Sequence, residues 1–208
     1  WAPIRGAAPE TRRMRAAFRR SPTARAEENR DQASMSELPV TSSDAGPLWH
    51  HFSERFRYDW WANETLWAFL QQQHGARRTP AHEAGLRKAC HLFGHLLATE
   101  LLWLGRVERS QDVALPVWRA RELSELRTLL GRTRSEWKAL LDSLPPPDAS
   151  RAVAYRNTMG QAYENTLEQI IAHVLNHSTH HRAQILAILR DAGLEPPGLD
   201  YIVYLRLP

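Results

Sequence analysis

After Met35 the chain repeats apolar residues at spacings of three and four. Trp49, Phe52, Phe56, Trp60, Trp67 and Leu70 form one such stripe, with Asn63 as its polar member. They predict a first helix over residues 47–73, opened by Ser43-Asp44 and Pro47 and closed by Gly75. Thr79-Pro80 starts a second, in which Leu86, Ala89, Leu92, Phe93, Leu96, Leu97, Leu101 and Leu104 keep the period as far as Gly105. A third runs from about Ala120 to Leu144, with Leu123, Leu126, Leu129, Leu130, Trp137, Leu140 and Leu141 on one face, and the prolines at 145–147 stop it.

The pattern then changes. Residues 152–155 and 161–164 flank Asn157-Thr158-Met159-Gly160, which reads as a short β-hairpin or an extended loop. A last long helix follows from about Leu167 to Asp191 and ends at Ala192-Gly193. The tail after it carries Tyr201, Ile202, Tyr204 and Leu205, which are expected to pack back on the body. The predicted fold class is therefore all-α. It is a four-helix bundle over residues 45–208, with connections at 106–119 and 145–166 long enough for a crossover.

Composition changes this picture at the amino terminus. The chain of 208 residues has 27 Lys+Arg and 23 Asp+Glu, a formal charge of +4. Residues 1–34 hold eight of those Arg and only Glu10, Glu27, Glu28 and Asp31, so they carry the whole excess, and the body has 19 basic and 19 acidic residues. A neutral body lacks the basic face that phosphate binding requires, which argues against nucleic acid as a partner. Residues 1–44 show no sustained apolar period and are expected to be a disordered or non-native extension. Two accounts of 1–34 stay open: an organelle transit peptide, or an upstream stretch translated ahead of Met35 as the true first residue. The single thiol, Cys90, forms no internal disulfide, and no apolar run reaches the roughly 18 residues of a spanning helix. The expected setting is cytoplasmic, without a membrane partner.

Histidine supplies the candidate chemistry. Of ten, four lie in Ala172-His173-Val174-Leu175-Asn176-His177-Ser178-Thr179-His180-His181-Arg182. At 100° per residue, positions 173, 177 and 181 advance by only 40° each, so three imidazoles line one stripe across two turns. An i, i+4 pair of His presents two nitrogens to one divalent ion. Ser178 follows His177 where zinc proteases have their Glu base, so that motif is absent. A catalytic ion usually takes a third protein ligand. The second helix offers His95, beside Gly94, which permits close helix approach, and His91 competes for the same face. Cys90 sits about 140° round that helix from His95 and is not expected to share the site. Glu100 is read as either supporting the ligands or exposed, and Asn176 and Thr179 as bordering the stripe. The aromatic run Tyr58 to Asn63 is read as core with Asn63 bonding to backbone. His50, His51, His74 and His82, near helix ends, are read as solvated. There is no phosphate loop, no Gly-x-Ser-x-Gly turn and no pair of Glu-x-x-His motifs for a di-iron centre.

Four stretches carry a family resemblance. Tyr58-Asp59-Trp60-Trp61-Ala62-Asn63, the run Gly94-His95 to Trp103-Leu104, the run His173 to Gln184, and Pro196-Pro197-Gly198-Leu199-Asp200-Tyr201 occur in this order and together resemble the DinB family of damage-inducible proteins, over about residues 47–205. The resemblance implies a four-helix bundle holding a divalent metal, usually zinc or nickel, on three histidines, which fall on His95, His177 and His181. His173 is not required as a ligand. Ala183 departs from the glycine common after His-His-Arg. The resemblance also implies a small-molecule substrate. Members with known activity are metal-dependent transferases or isomerases using a low-molecular-weight thiol, and water is the other group such a site could activate. The alternative is a non-catalytic metal- or ligand-binding stress-response protein. A homodimer, with the aromatic first helix as candidate interface, is a further expectation from the resemblance.

Overall fold

A computed structural model of the chain describes residues 45–74, 78–109, 116–143, 146–157 and 159–207. The extension expected at 1–44 lies outside them, as do the predicted stops Gly75 and Pro145. Four long helices are present: α1 (Ala45–His74), α2 (Pro80–Arg109), α3 (Leu123–Leu141) and α4 (Leu167–Asp191). The antiparallel strands β1 (Ala152–Arg156) and β2 (Ala162–Thr166) precede α4, and a single turn, α5 (Tyr201–Tyr204), follows it.

Two boundaries differ from the sequence reading, for local reasons. α2 continues past Gly105 to Arg109, because Val107 buries its side chain in the core and holds the next turn. α3 begins three residues later than expected, where the Glu125 carboxylate accepts the Glu122 N–H at 3.0 Å. The hairpin is present, in register Ala152↔Thr166 to Arg156↔Ala162, and turns at Gly160, whose φ of 80° suits glycine. β2 passes straight into α4: Thr166 Oγ1 accepts the Gln169 N–H at 3.3 Å, and the Gln169 side chain accepts the Thr166 N–H at 3.1 Å.

The core has two apolar parts. One gathers Phe56, Leu104, Trp137, Leu141, Val153, Leu167, Ile171 and Val174, with Phe56 stacked on Trp137 at 4.7 Å. The other gathers Leu66, Leu70, Phe93, Leu96, Leu97, Leu126, Leu130, Ile185 and Leu189. Each side chain of this size contributes about 1.5–3 kcal/mol when fully buried. The order in which each helix visits the two parts fixes its direction. α1 and α4 run from the first to the second; α2 and α3 run the other way. α2 and α3 are therefore parallel, and their connection is the crossover that has to travel back along the bundle. α3 and α4 are joined at neighbouring ends through the hairpin.

Between the two apolar parts each long helix carries buried polar residues: Asp59 and Asn63 on α1, Glu100 on α2, Thr133 on α3, Ser178 and Arg182 on α4. The tail packs back as expected, with the Tyr58 hydroxyl donating to the Leu199 carbonyl at 2.7 Å and Tyr201 edge-on to Tyr58 at 5.0 Å. Trp49, Phe52, Phe56 and Trp67 of α1 are turned into the core, while Trp60, Trp61 and Phe69 are half-buried. Among the described residues no helix is long and apolar enough to cross a membrane.

Candidate metal centre

α2 and α4 pack more extensively than any other pair of elements, and their antiparallel contact sets His95 opposite His177 and His181. One ring nitrogen from each of the three lies within 4.8 Å of the others. His177 and His181, one turn apart on α4, approach to 3.1 Å between their Nε2 atoms. Zinc–imidazole bonds of about 2.0–2.1 Å in a tetrahedral shell place nitrogens ~3.3 Å apart, so the α4 pair already stands at the spacing of two ligands.

The surroundings hold each ring in a defined state. Gln184 Oε1 is 2.9 Å from His181 Nδ1, which makes that nitrogen the donor and leaves Nε2 as the lone-pair end facing His177. His95 is buried, its Nδ1 has no hydrogen-bond partner, and its ring is stacked on Trp118 at 3.6 Å and 12° while meeting His181 edge-on at 4.8 Å. All three imidazoles are held neutral. Burial and then the neighbouring His181 and His95 push His177 down to about 3. Burial and then His181 push His95 down to about 4, and burial lowers His181 against the opposing effect of Gln184. Three neutral nitrogen donors are the state a divalent ion requires of its ligands. Among the described residues no carboxylate or thiol joins the cluster.

The remaining histidines separate cleanly. His173 lies on the same stripe but one turn along, exposed, with its ring against Trp103 at 5.0 Å. His91 reaches Trp118 rather than the cluster, and His180 bonds to Gln184 at 2.9 Å. His50, His51 and His74 are exposed, and His82 is half-buried. Cys90 is half-buried away from the cluster, its thiol pushed up to about 11 chiefly by burial.

The polar layer lies directly beneath the α4 ligands, through Ser178 and Arg182, each one residue beyond a histidine. The Arg182 guanidinium is paired with Asp59 and donates to Asn63 Oδ1 at 2.9 Å and to Thr179 Oγ1 at 3.2 Å. Ser178 Oγ donates to Glu100 Oε1 at 2.6 Å, and Asn63 Nδ2 bonds to Asp59 at 3.0 Å and Glu100 at 3.4 Å. Asn63 thus bonds to side chains, not to backbone as expected from sequence, and Glu100 is 1% exposed. Burial, then the Asp59 charge, raise the Glu100 carboxyl well above the usual range.

A family model described as the DinB family matches residues 42–207. The chain belongs to the DinB family. It is 24% identical over 159 residues to Protein DinB of Bacillus subtilis, covering 72% of this chain and 91% of that protein. It is also 20% identical over 147 residues to the uncharacterized protein YizA of the same organism, covering 71% and 91%. No solved structure matches significantly. Within this DinB chain, sequence reasoning missed Trp118, Gln184 and the Asp59–Arg182 pair. Gln184 could have been found as the i+3 polar neighbour of His181. Trp118 could not, because nothing local says that the crossover lies over His95.

Proposed function

We propose that this DinB-family chain is a divalent-metal protein, with zinc or nickel on His95, His177 and His181, that activates a low-molecular-weight thiol for transfer to an electrophilic small molecule. The observation that carries the reading is the convergence of three uncharged nitrogen donors without an anionic side chain in the cluster. Such a site leaves the charge of a divalent ion uncompensated and favours an anion as further ligand. When bound, the ion supplies a Lewis acid that lowers the pKa of a thiol or a water at its open position.

The chain's own residues prepare the site. Gln184 keeps the His181 proton on Nδ1, so that its Nε2 lone pair stays directed at the cluster. Trp118 fixes the plane of the His95 ring and covers one of its faces, while remaining 58% exposed itself and so able to border an incoming molecule. The Asp59–Arg182 pair and the Ser178–Glu100 bond tie the ligand-bearing turns of α4 to α1 and α2, which sets the histidine spacing before any ion arrives. Thiol activation is favoured over hydrolysis because a bound thiol ionises readily, whereas attack by water ordinarily draws on a general base, and no carboxylate joins this cluster among the described residues.

The test is a conjugation screen. Zinc- and nickel-loaded protein is mixed with each of several bacterial thiols and monobromobimane, beside a His177→Ala/His181→Ala control. Acceleration by the loaded wild type with at least one thiol, lost in the control, is expected. Equal rates in both would leave the chain a non-catalytic metal binder, the alternative function.

A further inference from the structure

Arg106 stands out as a buried cation with no counter-ion among the described residues. It is 8% exposed, yet among the described residues no carboxylate lies within ion-pair distance of it. One of its five N–H groups is used, Nη2 donating to the Arg156 carbonyl of β1 at 3.0 Å. Two aromatic rings lie against its guanidinium, Trp103 at 4.5 Å and Tyr155 at 5.0 Å, and these meet each other edge-on at 4.9 Å. Such contacts leave the remaining N–H donors of the guanidinium without a protein partner among the described residues, and none of those nitrogens is fully shut off from solvent. Burying a full charge with neither carboxylate nor phosphate is unfavourable, and burial accordingly lowers the Arg106 pKa, with Tyr155 acting in the other direction.

Its position relates it to the metal centre. His95, Thr99, Trp103 and Arg106 fall within about 80° of one another on α2, opposite the His173–His177–His181 stripe of α4. The rings continue from one end to the other: His177 to His173 at 5.7 Å, His173 to Trp103 at 5.0 Å, then the Arg106 guanidinium. The Thr99 hydroxyl, on the same line, is buried without a hydrogen-bond partner. Trp103 is eight residues beyond His95, roughly 12 Å along the helix axis. Polar groups left unpaired at intervals along an aromatic-floored line between two helices are what a bound molecule would satisfy.

We propose that Arg106, framed by Trp103, Tyr155 and His173, binds the carboxylate of an elongated small molecule whose other end reaches the three-histidine cluster. This rests on the thiol reading above for the identity of that other end, but not for the carboxylate. A single guanidinium balances the charge of a carboxylate. The molecule spans on the order of 10–15 Å between its carboxylate and the atom nearest the histidines.

Two measurements test this. In the first, metal-free wild-type protein is titrated with 4-phenylbutyrate, which has a ring and a carboxylate but no thiol, and the Arg106 Nε–H NMR signal is followed, assigned by its loss in Arg106→Lys. A saturable shift that 4-phenylbutan-1-ol does not produce is expected. No shift, or the same shift with the alcohol, overturns the proposal. In the second, nickel-loaded protein is titrated with 11-mercaptoundecanoate and with 11-mercaptoundecanol, read by the thiolate-to-nickel absorption band. The acid should bind about tenfold tighter, with the ratio near one in Arg106→Gln. An unchanged ratio in that variant overturns the proposal. Absence of the band with either thiol refutes thiol activation, and the first measurement then still decides the carboxylate site.

Discussion

Replacing Glu100 with Gln should flatten the pH dependence of stability. Glu100 is buried, its Oε1 accepts from Ser178 and Asn63, and its Oε2 has no partner. Asp59 beside it already takes the single guanidinium in the layer, that of Arg182. Two carboxyls share one cation, and the charge of the layer balances when Glu100 keeps its proton; its raised pKa, caused first by burial and then by Asp59, says the same. A carboxyl whose folded pKa lies above its unfolded value contributes stability that is complete below about pH 4.5 and is lost as pH rises through the folded pKa. Between those limits folding takes up one proton at this site, and each pH unit lowers stability by about 1.4 kcal/mol. As the pH rises from 5.5 the wild type should therefore lose stability relative to Glu100→Gln, which has no such proton to take up, by up to about 1.4 kcal/mol per pH unit until the folded pKa is passed. Urea denaturation of both metal-free proteins at pH 5.5, 6.5 and 7.5 reads the difference directly, because the depressed histidines act alike in both. Parallel stability curves would refute the assignment, and a slope that disappears instead in Asp59→Asn would move the proton to the other carboxyl.

The same layer and its neighbours give three shorter predictions. At pH 7.5, Asp59→Asn should cost less than the ~3–5 kcal/mol of an uncompensated buried charge in urea denaturation, because Glu100 can ionise beside Arg182 in its place, and Asp59→Asn/Glu100→Gln should reach that full cost; equal costs in the two variants would show that Glu100 does not take over the pairing. Gly85→Ala should destabilise by about 1–3 kcal/mol, since a Cβ there would stand 2.4 Å from the Ala192 Cβ at the end of α4, and a neutral result would mean the helices separate freely. Gln184→Ala should weaken metal binding about tenfold in competition with a chelator, through loss of the acceptor on His181 Nδ1. Unchanged affinity would show that the ring needs no such orientation.

How much of this was legible in the sequence follows from what is local and what is not. Helix periodicity and the 40° advance of an i, i+4 pair depend only on chain geometry, so the bundle, the hairpin and the α4 stripe could be read directly. Choosing His181 and His177 over His173 depends on which turn of α4 stands level with His95, and that follows from antiparallel packing of α2 on α4. The periodicity leaves that level open, and the family resemblance supplied it. Asn63 bonds to side chains and Glu100 is buried, which sequence does not settle because polar residues at core positions look alike until their partners from two other helices are known. Trp118 depends on which connection crosses over. Both long connections had room to do so, and only the opposite directions of α2 and α4, with α3 parallel to α2, place residues 116–122 beside His91 and His95.

The central claim, that His95, His177 and His181 hold a divalent ion, is tested most directly by elemental analysis of the protein purified without a histidine tag, beside His177→Ala/His181→Ala prepared in the same way. About one equivalent of zinc or nickel per wild-type chain, absent from the double variant, is the predicted result. No divalent metal in the wild type, or the same content in both proteins, would contradict it.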